Sequence, residues 1–178
     1  MKKISPANME HFFRRLAAGF TKAPDAIGVD MELVGGTISM TLRPAKVDTG
    51  SLIGAGGVMH HSFRSVLTVL ARRGGHAFHL APVVDPGDKG ASVQKTVKLS
   101  LDQIGDMFTA TCSDLFEKTH AWAWDADDRR SNINLMIAKN ETRHVTDAEL
   151  GEGLSRIFNA IGRCHGHVIY VNLERSKT

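Results

Sequence analysis

Apolar residues recur at helical spacing over positions 7–20. Met9, Phe12, Phe13, Leu16 and Phe20 share one face, and Arg14 and Arg15 lie off it. Pro24 and Asp25 break that helix. Positions 27–34 then switch to alternation through Ile27, Val29, Met31 and Leu33, which predicts a strand. Gly35-Gly36 predicts a tight hairpin turn, and Ile38, Met40 and Leu42 mark the returning strand over 37–42. A glycine-rich loop is expected from Pro44 to Gly57. Met59, Phe63, Val66, Leu67 and Leu70 predict a helix over 58–72, ended by Gly74-Gly75, and a third strand follows over 76–84. Residues 85–98 read as a linker.

The same order then returns. Helices are expected over 100–118 and 146–162, and strands over 121–125, 132–138 and 167–173. Met9, Phe12, Phe13 and Phe20 match Ile104, Met107, Phe108 and Leu115 at an offset of 95 residues. Ile38, Met40 and Leu42 match Ile133, Leu135 and Ile137 at the same 95. Met59, Phe63, Val66, Leu67 and Leu70 match Leu150, Leu154, Ile157, Phe158 and Ile161 at an offset of 91. Gly75-His76 likewise matches Gly166-His167. The four lost residues fall in the loop before the second half's long helix. The pattern predicts two copies of one helix–strand–strand–helix–strand unit, over 7–84 and 99–174.

Composition narrows the class without deciding it. The chain has 178 residues, of which 42% are apolar, enough for a core. No apolar run approaches the ~18 residues of a membrane helix, and Met1-Lys2-Lys3-Ile4-Ser5-Pro6 lacks an apolar signal segment. The expectation is a cytoplasmic protein with no membrane association. Two cysteines, Cys112 and Cys164, do not make a disulfide scaffold. A net charge of +3 only nudges the reading toward an anionic partner.

The segment from Asp48 to Gly57 carries the candidate chemistry. Glycine lets another backbone approach, and the helix that follows offers unpaired N–H groups and a positive dipole end. A phosphate can rest there without a charged side chain. A Walker loop would need Gly-Lys-Ser/Thr at its end, which is missing after Gly57. A dinucleotide fingerprint needs a parallel strand–helix–strand unit, which the preceding hairpin opposes.

Residues 9–84 resemble the small bacterial single-domain KH proteins of the type II fold. That family carries an Asp-x-Gly-x-x-Ile-Gly-x-x-Gly segment, met here by Asp48, Gly50, Ile53, Gly54 and Gly57. Arg64 stands where the family has an Arg on the following helix. Ala23-Pro24-Asp25 resembles its turn after the first helix. The resemblance implies an α+β fold of two KH-like units, each a small sheet packed by helices. It also implies non-catalytic binding of single-stranded RNA, a transcript or ribosomal RNA, with no cofactor and no metal. A chaperone or transcript-binding adaptor, cellular or phage, fits that description. The family usually has Lys or Arg inside the tetrad, whereas this chain has Ala55 and Gly56. Charge would have to come from Arg43, Lys46, His60, His61 and Arg64 around Ile53, Gly54, Ala55, Gly56 and Gly57.

The second half lacks the tetrad. Val145, Thr146, Asp147 and Ala148 occupy its place, and Thr146 with Glu149 forms a capping box. That half reads as a degenerate copy that serves packing, a homo-oligomer contact or a protein partner. Arg72-Arg73 and Arg129-Arg130 read as solvated charge that could add phosphate contacts. Trp122 and Trp124 share one face of a strand, where core packing is the default and base stacking the alternative. Cys164-His165-Gly166-His167 is too crowded for a zinc pattern. Three other functions compete. They are a protein-interaction scaffold on the same fold, single-stranded DNA binding, and a thioesterase-like enzyme for which no catalytic carboxylate can be named.

Overall fold

Ser5, Ser100 and Thr146 each precede a run of helically spaced apolar residues, and each closes a capping box on the helix that follows. The structure, a computed structural model, describes residues 4–84, 98–116, 122–127, 130–137 and 146–175. The chain runs α1 (Pro6–Ala18), β1 (Gly28–Val34), β2 (Thr37–Arg43), α2 (Lys46–Ile53), α3 (Val58–Arg73) and β3 (Ala77–Leu80), then α4 (Leu101–Leu115), β4 (Trp122–Asp127), β5 (Arg130–Ile137), α5 (Asp147–His165) and β6 (Val168–Arg175). This is a mixed α+β fold with two three-stranded sheets, ordered β1-β2-β3 and β4-β5-β6. In each sheet the first strand is antiparallel to the central one and the third is parallel to it. Among the described residues no helix is long and apolar enough to cross a membrane.

One expectation is corrected. Residues 44–57 are not all loop, because α2 occupies Lys46–Ile53. Apolar periodicity is nearly missing there: Leu52 is its one buried apolar side chain. Tertiary contacts, described below, hold the helix instead. β3 is also shorter than expected. The chain still runs beside β2, since the Ala81 and Val84 N–H groups donate to the Met40 and Leu42 carbonyls. Residues 85–97 of the expected linker, Arg129, and the segment 138–145 where the second half loses residues all lie outside the described residues.

Both glycines of the first hairpin have positive φ, +57° at Gly35 and +80° at Gly36, as the tightest hairpin turn requires. The second hairpin turns between Asp127 and Arg130, two residues earlier than the offset of 95 would place it. A slip of two keeps every side chain on its own face, whereas a slip of one would expose the core. Ile133 and Leu135 accordingly stay fully buried. Trp122 and Trp124 fall in β4, in register with Leu135 and Ile133.

The two halves share one buried cluster. Phe13 meets Phe63 edge-on with ring centroids 5.0 Å apart, and Phe108 meets Phe158 in the same way at 5.0 Å. α3 is buried on more than its expected face, because Ser62, Ser65 and Val69 are covered as well. The second half's helices cover it. At Gly153 of α5 a Cβ would lie 3.2 Å from the Ser62 carbonyl oxygen and 3.3 Å from Val66, so the lack of a side chain there sets how closely the helices cross. Ser62 and Gly153 are equivalent at the offset of 91, so the halves touch at matching points.

Polar contacts fix the rest of the junction. Arg15 pairs with Asp114 at 2.8 Å. Arg73 donates to the Ser113 and Asp114 carbonyls at the end of α4. It is therefore a cap for a neighbouring helix and not a solvated charge. His165 is buried, and both its ring nitrogens are taken. Leu99 N–H donates to Nδ1 at 3.1 Å, which makes Nε2 the donor to the Gly19 carbonyl at 3.0 Å. This histidine ties the two halves together.

Candidate nucleic-acid interface

α2 is placed by a buried acid. The Asp48 carboxylate is fully buried and accepts hydrogen bonds from Lys22 N–H and Ala23 N–H, each at 2.7 Å. It clamps α2 to the turn that follows α1. Leu52 pins the other side of the helix into the core, at 1% exposure. The helix then stops at Gly54, whose N–H donates to the Gly50 carbonyl at 2.8 Å.

The next residues turn the chain into α3. Gly54 has φ +73° and ψ 168°, a conformation reserved for glycine, and a Cβ there would lie 2.8 Å from the Met59 nitrogen. Gly56 and Gly57 have φ +61° and +80°, but a Cβ on either would meet nothing within 4 Å. Gly54 is thus a packing glycine, while Gly56 leaves its backbone exposed; the Gly57 N–H donates to the Gly54 carbonyl at 3.1 Å and the Val58 N–H to the Ala55 carbonyl. Ala55 and Gly56 are exposed. α3 starts directly behind them with Gly57 in the N-cap position and no side-chain cap. Open glycine backbone at an uncapped helix start is a favourable seat for a phosphate group.

The expected cations are only partly gathered there. Lys46 is exposed at the start of α2. His60 places its Nε2 2.9 Å from the Ala81 carbonyl and so ties the first turn of α3 to the chain after β3. His61 and Arg64 are exposed and joined by a contact of 2.9 Å between His61 Nδ1 and the guanidinium. Arg43 is engaged elsewhere. It forms an ion pair with Asp30 across the hairpin. There it lines a cleft with Glu10, Asp30, Glu32 and Thr41. Those three carboxylates make that cleft a poor seat for a polyanion. Exposed apolar side chains flank the glycine turn in the chain: Val47 on α2 and Val58 at the head of α3.

One neighbour was not foreseen from the sequence. The Thr146–Glu149 capping box holds the start of α5, with the Glu149 carboxylate accepting from Thr146 N–H at 3.0 Å and from its hydroxyl at 2.8 Å. Those hydrogen bonds, and then the nearby His61 and Arg64, hold the Glu149 carboxyl below its ordinary value. The acidic cap of the second half is thus within electrostatic range of the basic pair of the first, without an ion pair of 4 Å or less between them among the described residues. The sequence held no signal for it, because equivalence at an offset does not say which residues of the two halves touch. Among the described residues, no group of three or more His, Cys, Asp or Glu side chains is placed to hold a metal ion. No protein-family model matches the chain, and no curated protein matches it either.

Proposed function

We propose that this protein binds single-stranded RNA through the Gly54–Gly57 turn and catalyses no reaction. In this reading residues 7–84 form a type II KH-like unit and 99–174 a degenerate second one. The observation that carries the reading is the sequence of elements around the turn. An antiparallel hairpin leads into α2, the glycine turn and uncapped α3 follow, and β3 returns parallel to the central strand. Exposed loop backbone would clamp the sugar–phosphate chain, as KH modules do over about four nucleotides. Lys46 and Arg64 supply charge, and Val47 and Val58 offer apolar surface for bases. Phosphate contacts of this kind position a strand without reading its sequence.

Fluorescence anisotropy with a labelled single-stranded RNA tests the proposal. The expected dissociation constant at low salt is on the order of micromolar. Two neutralised phosphates would give a slope of about −1.4 in log K against log salt. Changing Ala55→Asp and Gly56→Asp together should abolish binding while the circular dichroism spectrum stays unchanged. No binding at low salt, or unchanged affinity in the double variant, would refute the loop's role. The same oligonucleotide made as DNA separates the two nucleic acids. A scaffold for protein contacts is the second reading, favoured by the uncharged tetrad and by the engagement of Arg43 with Asp30.

A further inference from the structure

We propose that the open edge of β1 is a docking site for an extended basic segment of a protein partner, which would add to the sheet as a fourth strand; this stands apart from the RNA-binding reading. β1 is an edge strand, paired on one side only, to β2. The Gly35-Gly36 turn makes Val34 and Thr37 a hydrogen-bonded pair, and such pairs alternate along an antiparallel ladder. Gly28, Asp30, Glu32 and Val34 therefore direct their backbone groups to β2, whereas those of Val29, Met31 and Leu33 point away from it. Among the described residues no hydrogen bond engages these outward groups. A row of unpaired N–H and C=O groups is a template for another strand. A cleft of about 690 Å³ opens onto this edge, lined by Val29 and Met31 from one face of the strand and by Asp30 and Glu32 from the other.

The lining of the cleft selects the occupant. Its acids are Glu10, Asp30 and Glu32. Glu10 is paired with Arg14 and Asp30 with Arg43, but Glu32 is exposed and has no ion-pair partner among the described residues. Pro6, Ala7, Val29 and Met31 supply an apolar side, which the exposed Leu33 continues toward the hairpin tip. Side chains of an added strand alternate between the two faces of the sheet. A segment with Lys or Arg beside Glu32 and apolar residues at the intervening positions therefore meets both sides, with main-chain hydrogen bonds to the open edge. A second copy of this chain fits worse. Antiparallel pairing of two β1 strands centred on Met31 would set Asp30 of one copy against Glu32 of the other, and like charges directly opposite are destabilising.

The test uses the full chain and a fluorescently labelled peptide that alternates lysine and valine over seven residues, the length of β1. Fluorescence anisotropy at low salt should show saturable binding that weakens as salt rises. The same peptide with every amide N-methylated keeps its charges but cannot donate to the edge, and should bind at least about tenfold more weakly. Glu32→Lys should weaken binding of the unmodified peptide about tenfold, since an attraction becomes a repulsion of similar size. Leu33→Pro removes an outward N–H while sparing the ladder to β2, and should weaken it about as much. If that variant unfolds by circular dichroism, Glu32→Lys and the methylated peptide decide. Changing Ala55→Asp and Gly56→Asp together should leave peptide binding unchanged, so this site and the glycine turn stand or fall separately. No binding of the peptide at low salt would overturn the site. Equal binding of the methylated peptide would overturn strand addition, and unchanged affinity in Glu32→Lys would overturn recognition of the basic side chains. A chain that is a dimer by sedimentation and becomes a monomer on Leu33→Pro would give the edge to a second copy and overturn the proposal as well.

Discussion

Asp48 offers the sharpest check on how the glycine turn is held. Its carboxylate is fully buried and accepts two backbone hydrogen bonds of 2.7 Å, from Lys22 and Ala23. Bonds to a charged acceptor contribute about 1.5–3 kcal/mol each. Ala23 is buried, at 2% exposure, so its N–H has no ready replacement in water. Lys22 is exposed and can recover part of its loss. Asp48→Ala should therefore cost about 3–5 kcal/mol, and Asp48→Asn, which keeps one acceptor, about half of that. In a chain of this length the Ala variant should melt about 6–20 °C lower. Urea unfolding followed by circular dichroism measures the loss as a fall in midpoint at constant slope. Asp106→Ala, an exposed mid-helix control on α4, should stay within about 0.5 kcal/mol of the parent. If Asp48→Ala lies within about 1 kcal/mol of the parent as well, the carboxylate does not anchor α2 and the account of the turn's placement is wrong.

Further tests follow from the same geometry. Gly57→Ala should cost about 1–2 kcal/mol, the strain of a left-handed residue with open space around it. Gly54→Ala should cost about 3 kcal/mol or more, because its Cβ would also strike Met59; the reverse order in urea unfolding would contradict the assigned roles. Burial pushes the Cys112 thiol up to about 12. The native state keeps that proton while the unfolded chain releases it near its ordinary value, so stability should fall as pH rises from about 9 toward 12, by up to about 1.4 kcal/mol per pH unit. Cys112→Ala should remove that part of the slope, and an identical slope in both proteins would refute the burial argument.

The fold was legible where apolar periodicity was strong. Met9, Phe12, Phe13 and Leu16 on α1, and Ile38, Met40 and Leu42 on β2, were each assigned to an inward face, and each is buried. α2 was not legible, because Asp48 and its two backbone partners hold it, and such a bond leaves no period in the sequence. The burial of Ser62 and Ser65 was hidden for a related reason. Small polar residues on a helix read as solvated until a second helix is known to cross them. The Arg43–Asp30 pair could have been found, since the Gly35-Gly36 turn sets Gly28 opposite Arg43 and brings Asp30 within a diagonal of it. Of the candidate site, the turn itself was readable and its surroundings were not. The cations were chosen by closeness in sequence, and the structure sorts them by face.

The contrast between helix starts bears on why the turn exists. α1, α4 and α5 begin with a Ser or Thr that caps them, and all three carry an acidic or amide partner at the third position, in Asn8, Gln103 and Glu149. A side-chain cap of this kind typically stabilises a helix by about 1 kcal/mol. α3 forgoes it and is preceded by two left-handed glycines, Gly56 and Gly57, beside which a Cβ would meet nothing within 4 Å. Gly54 is required by packing, because Met59 crowds it, whereas Gly56 and Gly57 are required only by their left-handed backbone. The matching place in the second half shows the cheaper solution, with Thr146, Asp147 and Ala148 leading into a capped helix. One molecule thus contains both the stable version of this helix start and an open, costlier one. Local rules broken at a single place while their satisfied counterpart is retained nearby are what a functional or strained site is expected to show. The exposed backbone of Ala55 and Gly56 is what the missing cap leaves, and a ligand that approaches backbone closely is what could use it.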